Sequence, residues 1–221
     1  MKATYFAAAA AVALVGMSGT AHAAFTATLT DGAPSFDVDF RTGGSIDGTT
    51  GTFGDIIVTA TGGDLTQFSD DGLGIAGGEN DEIDDRGGNE SMLLSFNEPL
   101  TQPTVLIGIS DLFGPPDGGG DGERGQVQVA VNGADAATES FFAIDDPASN
   151  TNGEWTLALA GFSVGDELDI TLTAGPEGSG NEFSVMGVSQ VPLPGAAWLM
   201  IAGLGAVGAY ARRARKAAPT A

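Results

Sequence analysis

The stretch QVQVAVNG, residues 126–133, carries the clearest periodicity in the chain. Successive side chains of a strand point to opposite faces, so Val127, Val129 and Val131 share one face while Gln126, Gln128 and Ala130 share the other. The valine face is predicted to be core. Moving outward, ELDITLTA (167–174) repeats the pattern, with Leu168, Ile170 and Leu172 set against Glu167, Asp169, Thr171 and Thr173.

Similar short runs punctuate the chain: FTATLT (25–30), FDVDF (36–40), DIIVTAT (55–61), SMLLSF (91–96), TVLIGIS (104–110), WTLALA (155–160) and EFSVMGVSQV (182–191). Between them lie RTGGSIDGTTG, GPPDGGGDGERG, DDPASNTNGE and GPEGSGN, rich in residues that supply positive φ or preset turns. No window of a dozen residues keeps an i, i+3, i+4 apolar spacing free of glycine and proline, which argues against a helical domain. The expected fold is all-β, an antiparallel, jelly-roll-like β-sandwich formed as one domain by residues 24–190.

Both ends depart from this pattern. Residues 1–23 read as an export signal: Lys2 supplies the positive start, Phe6 to Met17 the apolar stretch, and Ala21-His22-Ala23 an A-x-A cleavage site. The Sec export machinery and signal peptidase are the implied partners, and the mature chain is expected to begin at Ala24. At the other end, residues 195–211 carry no charge; a helix over them is roughly 26 Å long, against about 30 Å of hydrocarbon. Arg212, Arg213, Arg215 and Lys216 follow at once, and the positive-inside rule puts them in the cytoplasm with the body outside.

Charge is distributed unevenly. The body has three arginines (Arg41, Arg86, Arg124) against all 29 acidic residues of the chain, a net charge of −26. Such a body is repelled by nucleic acid and by anionic membrane surfaces. There is no cysteine, the single histidine (His22) lies in the export signal, and the body has no lysine. Disulfides, thiolate metal sites, His-based zinc sites, Ser-His-Asp and Cys-His nucleophiles and Schiff-base chemistry are therefore excluded from the body.

The densest acidic stretch runs from Asp70 to Phe96, DDGLGIAGGENDEIDDRGGNESMLLSF. Crowded carboxylates either fan into solvent or gather around a cation. The only cofactor this suggests is Ca²⁺, with Asp81, Glu82, Asp84, Asp85 and Glu90 as candidate ligands. The stretch matches no EF-hand loop, and residues 118–126 match no calcium-binding β-helix repeat. Solvated carboxylates are the favoured reading. A glycosidase, which needs two carboxylates and neither His nor Cys, is disfavoured because the body has one tryptophan, Trp155, and no tyrosine. Trp155 opens an apolar strand and is expected in the core, as are Phe36, Phe40, Phe96, Phe141 and Phe183.

Val191-Pro192-Leu193-Pro194-Gly195, then the apolar run, then the basic cluster strongly resembles a PEP-CTERM sorting signal of the VPLPA variety, with glycine in place of the usual alanine. Inside the body, Gly72-Leu73-Gly74-Ile75, read as a turn, then Glu82-Ile83-Asp84, and Glu90 with Leu93, Leu94 and Phe96, is similar to a pattern in other exosortase-sorted extracellular domains. The resemblance implies processing by an exosortase-type protease near the motif and delivery to the surface or exopolysaccharide matrix of a Gram-negative bacterium. The expected function is accordingly that of a non-enzymatic surface or matrix protein associated with extracellular polysaccharide. The alternatives are a Ca²⁺-dependent carbohydrate-binding or adhesive module and, behind it, a carboxylate glycoside hydrolase.

Overall fold

The computed structural model describes residues 25–77, 82–85, 90–113, 122–143, 153–175 and 181–191. Its strands are β1 (Thr26–Asp31), β2 (Val38–Asp39), β3 (Ser45–Asp47), β4 (Thr50–Phe53), β5 (Ile56–Thr61), β6 (Asp64–Phe68), β7 (Gly72–Ala76) and β8 (Ile83–Asp84). They continue with β9 (Ser91–Phe96), β10 (Thr104–Ser110), β11 (Arg124–Val131), β12 (Ala134–Phe142), β13 (Trp155–Ala160), β14 (Leu168–Ala174) and β15 (Glu182–Val191). One sheet runs β1-β13-β10-β15-β7-β6, with β2 and β8 also paired to β15; the other runs β12-β11-β14-β9-β5-β4-β3. Every pairing is antiparallel.

The two sheets close on one apolar core, as the alternation predicts. From the second sheet come Val127 and Val129, Leu168, Ile170 and Leu172, and Met92 and Leu94, all buried. The first sheet answers with Ile107 and Ile109, Leu157 and Leu159, Phe183 and Val185. Phe141 of β12 meets Phe183 of β15 edge-on, with ring centroids 5.5 Å apart, tying the sheets together at one end. Edge-to-face contact of this kind adds to the area buried. Trp155 is buried, and its indole N–H donates to the carbonyl of Leu112.

The β11–β12 hairpin turns at Asn132 and Gly133, whose φ values of 53° and 74° are both positive, as a two-residue type I′ turn requires. Asn132 also ties this tip to the neighbouring loop: its side-chain oxygen accepts from the amide of Glu167 at 2.9 Å, and its side-chain nitrogen donates to Asp166 at 3.0 Å.

Central β15 is buried along nearly its whole length, on both faces. Phe36 explains the outer face. A side chain at Gly108 of β10 or at Gly187 of β15 would collide with its ring, so the two glycines make a bed on which Phe36 lies. The expectation that Phe36 belongs to the core is corrected here: it packs outside the first sheet and is only partly buried, as is Phe96, whereas Phe40, Phe141 and Phe183 are buried.

Three other expectations change. RTGGSIDGTTG is not all turn: β3 and β4 form a short hairpin inside it. GLGI, expected as a turn, is part of β7 and is buried. FDVDF contributes only the two-residue β2. Residues 1–24 and 192–221 lie outside the described residues, and with them the export signal and the run 195–211. Among the described residues no helix is long and apolar enough to cross a membrane.

Candidate functional site

One end of the sandwich collects carboxylates from far apart in the chain. Asp71 precedes β7, Glu82 precedes β8, Asp111 follows β10, Glu123 precedes β11, Glu154 precedes β13 and Glu182 opens β15. Antiparallel pairing brings these strand ends together: Ile109 is opposite Trp155 and Val185, and Ser110 is opposite Ser184.

Glu82 and Asp111 are the most perturbed of the group. Burial pushes the Glu82 carboxyl up to about 8, assisted by the negative charges of Asp111, Glu182, Glu123 and Asp71. Burial likewise raises Asp111 to about 6, with Asp71, Glu182 and Glu154 adding to it. Asp71 is raised by burial and by Asp70. Low dielectric and like charge both favour the neutral acid, which is the sense of all three shifts. Oε2 of Glu82 and Oδ2 of Asp111 are closed to solvent and have no hydrogen-bond partner. Asp111 also has a φ of 60°, left-handed for a residue with a side chain.

The backbone around them is held firmly. Ser110 Oγ donates to the carbonyl of Asp71 at 2.7 Å, and the Phe113 amide donates to Oε2 of Glu123 at 2.6 Å. Asn181 accepts from the amide of Arg124 at 2.8 Å and donates to Oδ2 of Asp85 at 3.0 Å.

Of the candidate ligands Asp81, Glu82, Asp84, Asp85 and Glu90, Asp81 lies outside the described residues. The other four are spent differently. Buried Glu90 accepts the backbone N–H of buried Asp84 at 3.0 Å, closing the loop on itself, and Asp85 turns to Asn181. Glu82 faces the shared carboxylate cluster, and Asp84 is opposite its member Glu182 in the ladder. Among the described residues no three His, Cys, Asp or Glu side chains form a ready cage for a metal ion. Sequence reading missed Asp111, Glu123, Glu154 and Glu182 because they are scattered. The available signal was positional: Asp111, Glu154 and Glu182 adjoin apolar strands at ends that antiparallel pairing brings together, and Glu123 is joined to them by its bonds with Phe113.

A second feature bears on sugar binding. Phe36, Asp37, Val38, Asp39, Thr42, Gly44, Phe53 and Gly54 line a shallow recess of about 290 Å³. One face of Phe36 rests on the glycine bed, and the guanidinium of Arg41 stands over the ring, 5.9 Å from its centroid. Two hydrogen bonds from the guanidinium of Arg41 to Asp39, at 2.9 and 2.8 Å, fix it there and lower the Asp39 carboxyl below its ordinary value. The aromatic face is thus already covered.

Of the sorting residues, Val191 is the last of β15, while Pro192, Leu193, Pro194 and Gly195 lie outside the described residues, as do Arg212, Arg213, Arg215 and Lys216 and the cleavage residues Ala21, Ala23 and Ala24. No curated protein and no solved structure matches the chain. Residues 190–216 match the PEP-CTERM protein-sorting motif, which therefore begins inside β15 at Gln190. A chain that ends its central strand in this motif is an exosortase-sorted protein, exported through the membrane to the cell surface.

Proposed function

We propose that the protein is a non-enzymatic component of the bacterial surface or extracellular matrix, an acidic β-sandwich exported by its N-terminal signal and associated with extracellular polysaccharide. The observation that carries this reading is the sorting motif continuing directly from β15. Its VPLPA-type sequence, the apolar run 195–211 and the cluster Arg212, Arg213, Arg215 and Lys216 complete a device that inserts, stops and is then cut in a Gram-negative envelope.

The body's chemistry supports a passive role. It offers no imidazole, thiol or lysine amine. A glycosidase acid must reach a substrate oxygen, whereas Oε2 of Glu82 is closed to solvent. Both Trp155, buried in the core, and Phe36, beneath Arg41, lack the open ring face that sugar stacking uses.

Cell fractionation tests the assignment. The wild-type protein is expected in the matrix and on the surface, with its amount there falling when exopolysaccharide synthesis is blocked. Surface retention unaffected by loss of the polysaccharide would overturn the association. Reducing-sugar release above background from a panel of polysaccharides would overturn the non-enzymatic assignment.

A further inference from the structure

Across the outer face of the first sheet, the ladder pairs Ile83 with Phe183 and Asp84 with Glu182. Glu82 is the residue before Ile83, at the end of that ladder, and Ser184, which follows Phe183, is opposite Ser110, the neighbour of Asp111. Phe183 and Val185 point into the core, so Ser184 faces outward, on the side of Glu182 and Ser110. Ser184 is fully buried, and its Oγ has no hydrogen-bond partner. Oε2 of Glu82 and Oδ2 of Asp111 at the same end of the sandwich are likewise buried and without partners, and the charge of Asp111 acts on Glu82.

Three buried oxygens at one end of the sandwich, two of them carboxylate, lack the partners that buried polar atoms normally find. The carbonyl of Asp71 is drawn to the same spot by Ser110. An oxygen-only environment bearing negative charge suits a hard divalent cation, for which Ca²⁺ takes 6–8 oxygens, including carboxylates, carbonyls and waters. We propose that Glu82, Ser184 and Asp111 form a binding site for Ca²⁺ at the acidic end of the sandwich. Two carboxylates and neutral oxygens, completed by water, hold the ion, so no cage of three acidic side chains is needed. The site differs from the loop ligands suggested by sequence: of those, it keeps only Glu82. It stands apart from the sorting role, which neither depends on it nor supports it.

The test uses the full-length protein in detergent, at constant ionic strength. The melting temperature is followed in chelator, in millimolar Ca²⁺ and in Mg²⁺, and Ca²⁺ affinity is measured by calorimetry. Binding at one site per chain is expected. Glu82→Gln and Asp111→Asn should each weaken it about tenfold or more, a scale that even outer-shell partners of metals reach. Ser184→Ala is a mild change in a folded protein and should weaken binding more modestly. Asp47→Asn, on the distant and exposed β3, should leave affinity unchanged. Tb³⁺ emission excited through Trp155, which bonds to the neighbour of Asp111, should appear in the wild type, be displaced by Ca²⁺ and be lost in Glu82→Gln. No heat of binding, or affinity equal in wild type, Glu82→Gln and Asp111→Asn, overturns the site and leaves only diffuse screening of surface charge.

Discussion

Trp155 and Leu112 meet across the acidic end of the sandwich, where the indole N–H donates to the Leu112 carbonyl at 2.7 Å. Both residues are buried, and Leu112 is the residue after Asp111, so the bond pins the turn that carries this carboxylate. Trp155→Phe keeps an aromatic ring but strands a buried carbonyl. A loss of about 1–3 kcal/mol is expected, the cost of an unsatisfied buried group. Denaturant unfolding measures it; a change below the error of the method would show that the carbonyl finds another donor.

Stability should rise as pH falls from about 9 to 5 in the presence of a chelator. The folded-state values of Glu82 (about 8) and Asp111 (about 6) lie above the ordinary values of 4.5 and 3.8. A raised acid contributes stability that is fully present below its unfolded value and is lost as pH rises through its folded value. Glu82 thus acts between about 4.5 and 8, and Asp111 between about 3.8 and 6. Glu82→Gln should therefore be more stable than wild type at pH 8, by about 1 kcal/mol once the shift is discounted for the solvent that screens this partly exposed group, with the gap closing near pH 5. Melting curves across this range decide it, and parallel pH profiles for the two proteins would refute it.

Gly72 combines two constraints. Its φ is 99°, and a β-carbon there would strike the backbone carbonyl of Val185 in the central strand. Gly133, with φ 74°, has open space where its side chain would be. Gly133→Ala should cost only its backbone strain, about 1 kcal/mol, and Gly72→Ala distinctly more than about 2 kcal/mol. Equal costs would mean that β7 can shift away from β15.

The terminal segments should fail in distinguishable ways when altered. On the proposed reading, in which Arg212, Arg213, Arg215 and Lys216 stop transfer, changing them to Gln should give escape or misinsertion. Pro192→Ala with Pro194→Ala should instead leave uncut protein in the membrane, since proline is the residue that excludes helix from a segment a protease must read. Intact mass of wild-type protein released from the surface should begin at Ala24 and lack Trp198 to Ala221; a mass retaining both ends would leave two plain anchors.

Alternation made much of the sandwich legible. SMLLSF, TVLIGIS, WTLALA and EFSVMGVSQV coincide with β9, β10, β13 and β15, since each has one face in the core. Strands with weak or small side chains were invisible. The edge strand β12, ADAATESFF, has little apolar alternation to show, and β7 hides in GLGIA because its first residue, Gly72, serves close approach to β15. The same physics hid the carboxylate cluster. Only pairing register brings Glu82, Asp111 and Glu182 together, and register is a property of strand order, which local pattern does not encode.

The strand that ends in the sorting motif is also the last of the described strands to be synthesised and sits in the middle of its sheet, with β10 on one edge and β2, β7 and β8 on the other. A chain emerging from its N-terminal end therefore makes its peripheral strands first and leaves a slot between them. That slot stays open until residue 191 has passed. Early segments are joined through a partner more than a hundred positions away, as when Val188 pairs with Val38, and such non-local closure makes folding slow and late. Maturation of the body is thus timed by the arrival of its own tail.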